Sequence, residues 1–359
     1  MNSTTLPIKN KSVKTFIDRC EVFLDGAAGT NRGEIQKWFL EGNKALKRAF
    51  IALKKEQEIC TIMHPQDPQI LNSFFYVPKI SERNSKGLIN PLDLVLNRNE
   101  TGALISGRLG QGKSMFLRYL QFLELNKGNT IPIFLDLHKI KTGSKILYDC
   151  MKKVNDIGLE CSRKLFNFLL GKGHISIFLD GYDEIQFDKR KLFDEEITKI
   201  INSSPNNKIF ITSRYDTEIE RLPGITGYDI LEFTTDDHGH FIRKIIKDKE
   251  KANAIMRKIS EAEEFDPTVL DTPLLLTWFL MVYKVKRKIP KTKIGFYEEL
   301  FKAILSRHDG TKDSLDRPSK SRLTDDEIEK VLHAFCYITS QANVSDFEEK
   351  TILKYITKS

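Results

Sequence analysis

Apolar positions along this chain change their spacing three times, and the changes predict its layout. Val13, Phe16, Ile17, Cys20 and Leu24 fall on one helical face, and Ile35, Phe39, Leu46, Phe50 and Leu53 repeat the pattern over 33–57. The opening should therefore be a small helical unit, joined by a glycine-rich turn from Asp25 to Gly33. Residues 58–95 lose the period; Pro65, Pro68, Pro78 and Pro91 and the polar tract 81–85 make them read as irregular. From about residue 100, short apolar runs alternate with helical stretches. The runs are 103–105, 131–137, 175–180, 208–214 and 228–233, and helices are expected from Ser114, over 144–170 and over 190–201. Past residue 236 helices take over: 238–259, one opened by Pro273, 296–305, 324–340 and 346–356, with a polar hinge at 310–322.

Apolar runs separated by helices imply a parallel sheet covered on both faces, with its ligand at the carboxyl ends of the strands. Pro132 is compatible with a strand because it stands near its start. The chain of 359 residues exceeds what one core usually holds. We expect a helical segment over 1–69, a strand-bearing core over 70–236, a helical unit over 237–290 and a last unit over 291–359.

The chemistry concentrates between the first strand and its helix. Gly107-Arg108-Leu109-Gly110-Gln111-Gly112-Lys113-Ser114 fits the P-loop pattern of two glycines four residues apart followed by Lys and Ser or Thr. Glycines let backbone N–H groups approach phosphate oxygens, and the following helix aims its N-terminal dipole at them. Lys113 supplies a charge for the β- and γ-phosphates, and the Ser114 hydroxyl is a ligand for Mg²⁺. Met115 completes the expected nucleotide-binding run. Phe75, Tyr76 and Val77, ahead of the first strand, are candidates for the wall of a base pocket.

A second constellation ends the 175–180 strand. Asp180 fits a residue facing Mg²⁺, and Gly181 leaves room beside the phosphates. Asp183 or Glu184 could polarise an attacking water. The competing reading, acids forming a turn or helix cap, loses weight downstream of a P-loop. Arg214, ending the next strand, could reach the γ-phosphate and report its presence.

These residues together resemble the NACHT family of the STAND class of signal-transduction NTPases, over about residues 70–359. The most specific mark is Asp180-Gly181-Tyr182-Asp183-Glu184, a small residue after the first acid and then an acidic pair. Ile211-Thr212-Ser213-Arg214 is similar to the family's sensor strand. Thr272-Pro273-Leu274-Leu275-Leu276 is similar to its proline motif, which implies that Pro273 contacts the adenine ring. Residues 296–309 look like the start of a winged helix. The resemblance implies an α/β P-loop NTPase core, a parallel sheet covered by helices, with an N-terminal helical segment and C-terminal helical and partial winged-helix regions. It also implies ATP or ADP with Mg²⁺ as cofactors, and a slow Mg-dependent ATPase. Asp183, Glu184, Lys113 and Arg214 would carry catalysis, and Ser114 and Asp180 the metal. No repeat period of 20–50 residues accompanies these motifs, so a sensor or effector is expected on a separate polypeptide or in a longer chain. His308 and His333 are the candidates for the histidine that some members use to hold ADP.

Composition narrows the setting. No apolar run approaches the roughly 18 residues of a membrane span. Five scattered cysteines without a C-x-x-C pair argue for reduced thiols in the cytosol and against a zinc site. The net charge of +8 gathers partly at Lys284-Val285-Lys286-Arg287-Lys288, which a solvated helix end explains better than nucleic acid does. Three readings follow. The first is a nucleotide-operated switch that self-assembles as a homo-oligomer when activated, with bacterial antiviral (anti-phage) defence as the setting the resemblance suggests. The second is an AAA+-like motor, and the third a winged-helix DNA-binding regulator.

Overall fold

The computed structural model of the protein describes residues 10–25 and 32–342, apart from 84, 86, 98–99, 128, 141–144, 216 and 311–323. Helices α1 (Asn10–Asp25) and α2 (Arg32–Lys55) follow the apolar period read from the sequence. They bury Phe16, Cys20, Ile35, Trp38 and Phe50 in one cluster with Ile131, Ile133 and Phe166 of the later chain. The Trp38 indole N–H also donates to the carbonyl of Glu160 at 3.0 Å. The helical opening thus shares its core with the sheet. Residues 58–95 are more regular than expected. Glu58–Thr61 (β1) and His64–Ile70 (β2) form an antiparallel hairpin, followed by the short helix α3 (Leu71–Phe74), the strand β3 (Ile80–Glu82) and the helix α4 (Pro91–Leu96). Prolines and polar residues hid the hairpin because a two-stranded ribbon has no interior ladder for them to disrupt and little core to fill.

The main sheet is laid down by β4 (Gly102–Ser106), β5 (Ile131–Asp136), β6 (Ile175–Asp180), β7 (Lys208–Ser213) and β8 (Ile225–Ile230). Its order is β3-β8-β4-β7-β6-β5, with β4 to β8 parallel and β3 antiparallel at one edge. β4 to β7 are buried over nearly their whole length, as strands covered on both faces must be. Pro132 is explained by its side of the strand. The Ile131 N–H donates to His174 O of the β6 segment, so the next nitrogen, that of Pro132, faces the open edge of β5. The covering helices are α5 (Lys113–Lys127), α6 (Ile146–Asp156), α7 (Arg163–Gly171) and α8 (Phe187–Ser203). The long helix expected over 144–170 is two, because Gly158 turns the chain at φ 90° and Ser162 caps α7 by accepting the Leu165 N–H. The strand expected at 228–233 starts three residues earlier: Gly224, at φ 81°, opens it, and Thr226 and Gly227 dilute its apolar signal.

Beyond the sheet lie α9 (Thr235–Ile245), α10 (Lys249–Glu261), α11 (Pro273–Lys286), α12 (Lys293–Gly310) and α13 (Asp325–Gln341). The single helix expected over 238–259 breaks where Asp248 caps α10, its carboxylate accepting the N–H groups of Glu250 and Lys251. Phe241, Ile255, Phe265, Phe279 and Phe296 share a second core. The polar hinge mostly, and the last expected helix wholly, fall outside the described residues, so α12 and α13 are the helices described within 291–359.

One contact ties the opening to the centre. Arg19 of α1 is buried, and its guanidinium donates to the carbonyls of Glu124 and Leu125 in the last turn of α5 at 3.3 and 3.2 Å, and to Thr130 O at 2.8 Å. A cation there satisfies terminal carbonyls and complements the helix dipole.

Candidate functional site

The loop from Gly107 to Gly112 joins the central strand β4 to α5. Gly110 and Gly112 hold φ of 81° and 88°, which only glycine adopts without strain. A Cβ on Gly110 would also stand 2.9 Å from the Leu274 Cβ, and one on Gly107 2.8 Å from the Gln111 side-chain oxygen. That oxygen accepts the Arg108 N–H inside the loop. Lys113 folds over the loop, its ammonium donating to Gly107 O at 2.7 Å and Arg108 O at 3.1 Å. Burial pushes its pKa below the ordinary lysine value, with Asp183 the main opposing charge.

The acids gather at the end of β6 and in the turn after it, beside Arg214 at the end of the adjacent strand β7. Asp180 accepts hydrogen bonds from the hydroxyls of Thr212, at 2.6 Å, and Ser114. Burial nonetheless lifts its pKa above the usual aspartate value. Gly181 turns at φ 84°, and its N–H donates to the same Thr212 hydroxyl at 2.9 Å. The glycine is thus required by the turn, and a Cβ there would crowd the Glu184 carboxyl at 3.3 Å. Asp183 is held from two sides: Arg214 Nε lies 3.0 Å from one oxygen, and the Arg214 N–H donates to the other at 3.1 Å. Glu184 is half exposed, with His138 Nδ1 3.8 Å away. Burial, and then the charge of Asp183, raise its pKa.

These groups open onto a cavity of about 440 Å³. Leu109, Gly110, Gln111, Gly112, Lys113, Ser114 and Met115 line it, and so do Asp180, Asp183, Glu184 and Arg214. Pro273 faces them from the N-terminus of α11, whose Leu274 N–H donates to Gly110 O at 3.3 Å. Gly107 and Arg108 sit behind the lining. Arg108 turns its guanidinium to Glu232 at 2.6 Å and Asp271 at 2.9 Å, so it braces the loop against the connection to the helical unit. Of the three aromatic-segment candidates, Phe75 and Tyr76 line the cavity, while Val77 packs into the core around Ile80. His333 lies beside Glu329 on α13, and the side chain of His308 falls outside the described residues.

Several lining residues escaped the sequence. Phe241 and Ile245 of α9 and Thr277 of α11 reach the cavity, as do Cys60 to His64 of the β1–β2 hairpin. The signal for Thr212 was a hydroxyl inside an otherwise apolar buried strand; for the hairpin there was none.

The residue set fits a nucleoside polyphosphate with Mg²⁺. The loop has no space for a side chain at Gly110, one at Gly107 would displace the Gln111 amide, and Ser114 and Asp180 bring hard oxygen donors together, the chemistry Mg²⁺ prefers. A proline-and-aromatic wall offers the apolar surface a base needs. Among the described residues no helix is long and apolar enough to cross a membrane, and no cluster of His, Cys, Asp and Glu could hold a metal by itself.

Residues 102–249 match the sequence model of the NACHT domain. No curated protein matches the chain. Among solved structures it is similar to domain III of the Thermotoga maritima replication initiation protein DnaA, at 14% identity and TM-score 0.35, covering 60% of this chain and 87% of that one. It is also similar to C. elegans PCH-2, at 13% identity and TM-score 0.34, covering 60% of this chain and 64% of that one.

Proposed function

We propose that this chain, which carries a NACHT domain, a P-loop NTPase domain, at residues 102–249, is an ATP-operated signalling switch with slow hydrolysis. The observation that carries the reading is the single cavity shared by Lys113, Ser114, Asp180, Asp183, Glu184 and Arg214 on the sheet side and Pro273 on the helical side. A nucleotide there touches both units at once, so its phosphates bias how they sit together. The working units are the helical segment 1–69, the NTPase core 70–236, the helical unit 237–290 and the winged-helix-like region 291–359.

Each residue has a role. The loop amides and Lys113 bind and orient the β- and γ-phosphates. Ser114 and Asp180 would hold Mg²⁺, which supplies charge neutralisation on the phosphates. Glu184 accepts a proton from the attacking water, and Asp183 keeps Arg214 beside the γ-phosphate position. Arg214 exchanges its pairing with Asp183 for the γ-phosphate when ATP replaces ADP. The Arg108 bridges to Glu232 and Asp271 carry that difference to the helical unit. Activation then exposes a surface for homo-oligomerisation, with a sensor or effector supplied by another protein and antiviral defence as the setting.

Mass spectrometry of the nucleotide that stays bound through purification tests the reading, with calorimetry of Lys113→Ala beside it. ADP retained by the wild type, and most affinity for ATP and ADP lost in the variant, are expected. Unchanged affinity for both nucleotides in the variant would refute the assignment.

A further inference from the structure

The β1–β2 hairpin is a part of the cavity wall that local sequence preference does not explain. Its two central turn residues are Ile62 and Met63, between the paired Thr61 and His64. Two-residue hairpin turns favour Asn and Gly at positive φ. Here neither residue has positive φ, and both carry large apolar side chains. Local rules broken without a local gain are expected at functional positions.

The hairpin is also loosely held. All of β1 and β2 is exposed or half-exposed, and among the described residues the two strands pair only with each other. Its anchors are at the base. Gln57 and Leu71, which flank the hairpin, are buried; the Leu71 N–H donates to Gln57 O at 2.8 Å, and the Gln57 side chain donates to Gln121 of α5 at 2.9 Å. An arm fixed at its root and bare along its strands moves as a unit at low cost. Pro65 and Pro68 remove two donors from β2, which discourages its capture by another strand. Its tip lines the same cavity as Tyr76, Phe241, Ile245 and Pro273.

We propose that Ile62 and Met63 belong to the base-binding site, and that the hairpin is a lid that closes on the nucleobase of a nucleoside di- or triphosphate. The inference rests on the nucleotide reading of the cavity. The phosphate end supplies affinity for any polyphosphate, while the hairpin recognises only ligands that carry a base. It slows their release.

The test separates these two halves. Wild type and an Ile62→Ser/Met63→Ser double variant of the full chain are titrated with ATP, ADP and inorganic tripolyphosphate. The double variant should bind ATP and ADP roughly five- to twentyfold more weakly, as expected for withdrawing two apolar contacts. Its tripolyphosphate affinity should be unchanged, which also reports that the phosphate end is intact. Alkylation gives a second readout, since Cys60 and Cys336 are the two exposed thiols. ADP should slow the reaction of Cys60 and leave Cys336 as it was, and tripolyphosphate should protect neither. Equal nucleotide affinities in the two proteins, or a loss that extends to tripolyphosphate, overturn the lid and leave the phosphate loop standing. Cys60 alkylation that ADP does not slow also overturns closure. A wild-type chain that binds none of the three ligands overturns the nucleotide reading and the lid with it.

Discussion

Arg214 and Asp183 form a pair that a γ-phosphate would compete with. The Arg214 guanidinium is half exposed, at 3.0 Å from the carboxylate, and the cavity lies open to it. Arg214→Ala should weaken ATP by roughly ten- to a hundredfold, the scale of a lost charge-assisted contact, and ADP by much less. Equal losses in calorimetry would make Arg214 a structural partner of Asp183 only. Glu184 makes a pH prediction. Its carboxyl must be ionised to accept a proton, and burial and Asp183 hold its pKa above the ordinary glutamate value. Hydrolysis should therefore fall as pH drops through a range higher than that of a free glutamate. Glu184→Gln should lower phosphate release by about 10²–10⁴-fold and remove that acid limb. A limb that survives in the variant would assign it to another group.

At the scale of elements, Asp237 joins the sheet edge to the helical unit. It is buried in a capping box at the start of α9, accepting from Thr234, and it also takes the Tyr76 hydroxyl at 2.7 Å and the Lys79 ammonium at 3.0 Å. Burial opposes its ionisation, but the hydrogen bonds from Thr234, Tyr76 and Lys79 outweigh burial and depress its pKa below the usual aspartate range. A depressed carboxylate stabilises fully above the unfolded pKa and loses that contribution as pH falls through the folded value. Asp237→Asn should cost about 1–3 kcal/mol at neutral pH. Denaturant melts of the two proteins should converge in acid; a gap that stays constant with pH would refute the linkage. The same elements show what was legible beforehand. The buried strands β4 to β7, the loop and the acids could be read because continuous apolar runs and Gly-Lys-Ser or Asp-Gly patterns have direct physical causes. The hairpin could not, because its exposed strands carry no core-facing period and its tip follows the cavity. Helix breaks at Gly158 and Asp248 interrupt apolar spacing that runs on through single capping residues, and the Arg108 guanidinium has partners far away in sequence, at Glu232 and Asp271, that the loop pattern does not reveal.

For the whole molecule, the cavity between sheet and helical unit makes the bound nucleotide part of the packing. Glu184→Gln keeps the loop contacts while blocking turnover, so the ATP-bound form should accumulate. A ligand shifts a conformational equilibrium only by its differential affinity for the two states. Light scattering of this variant should show a larger assembly with ATP than with ADP, in the presence of any partner the switch requires. One size with both nucleotides, while ATP stays bound, would remove assembly from the reading.

The placement of Pro132 bears on how such an assembly could be built. The free side of β5 lacks a donor at that position, and the opposite border, β3, is only three residues long. A sheet with one blunted and one truncated margin is a poor template for strand addition from a neighbour. Strand addition between copies is therefore disfavoured at these two margins of the main sheet. The same feature acts during synthesis, when many half-finished chains crowd together: an apolar strand that lacks one outward donor is a weaker template for another strand.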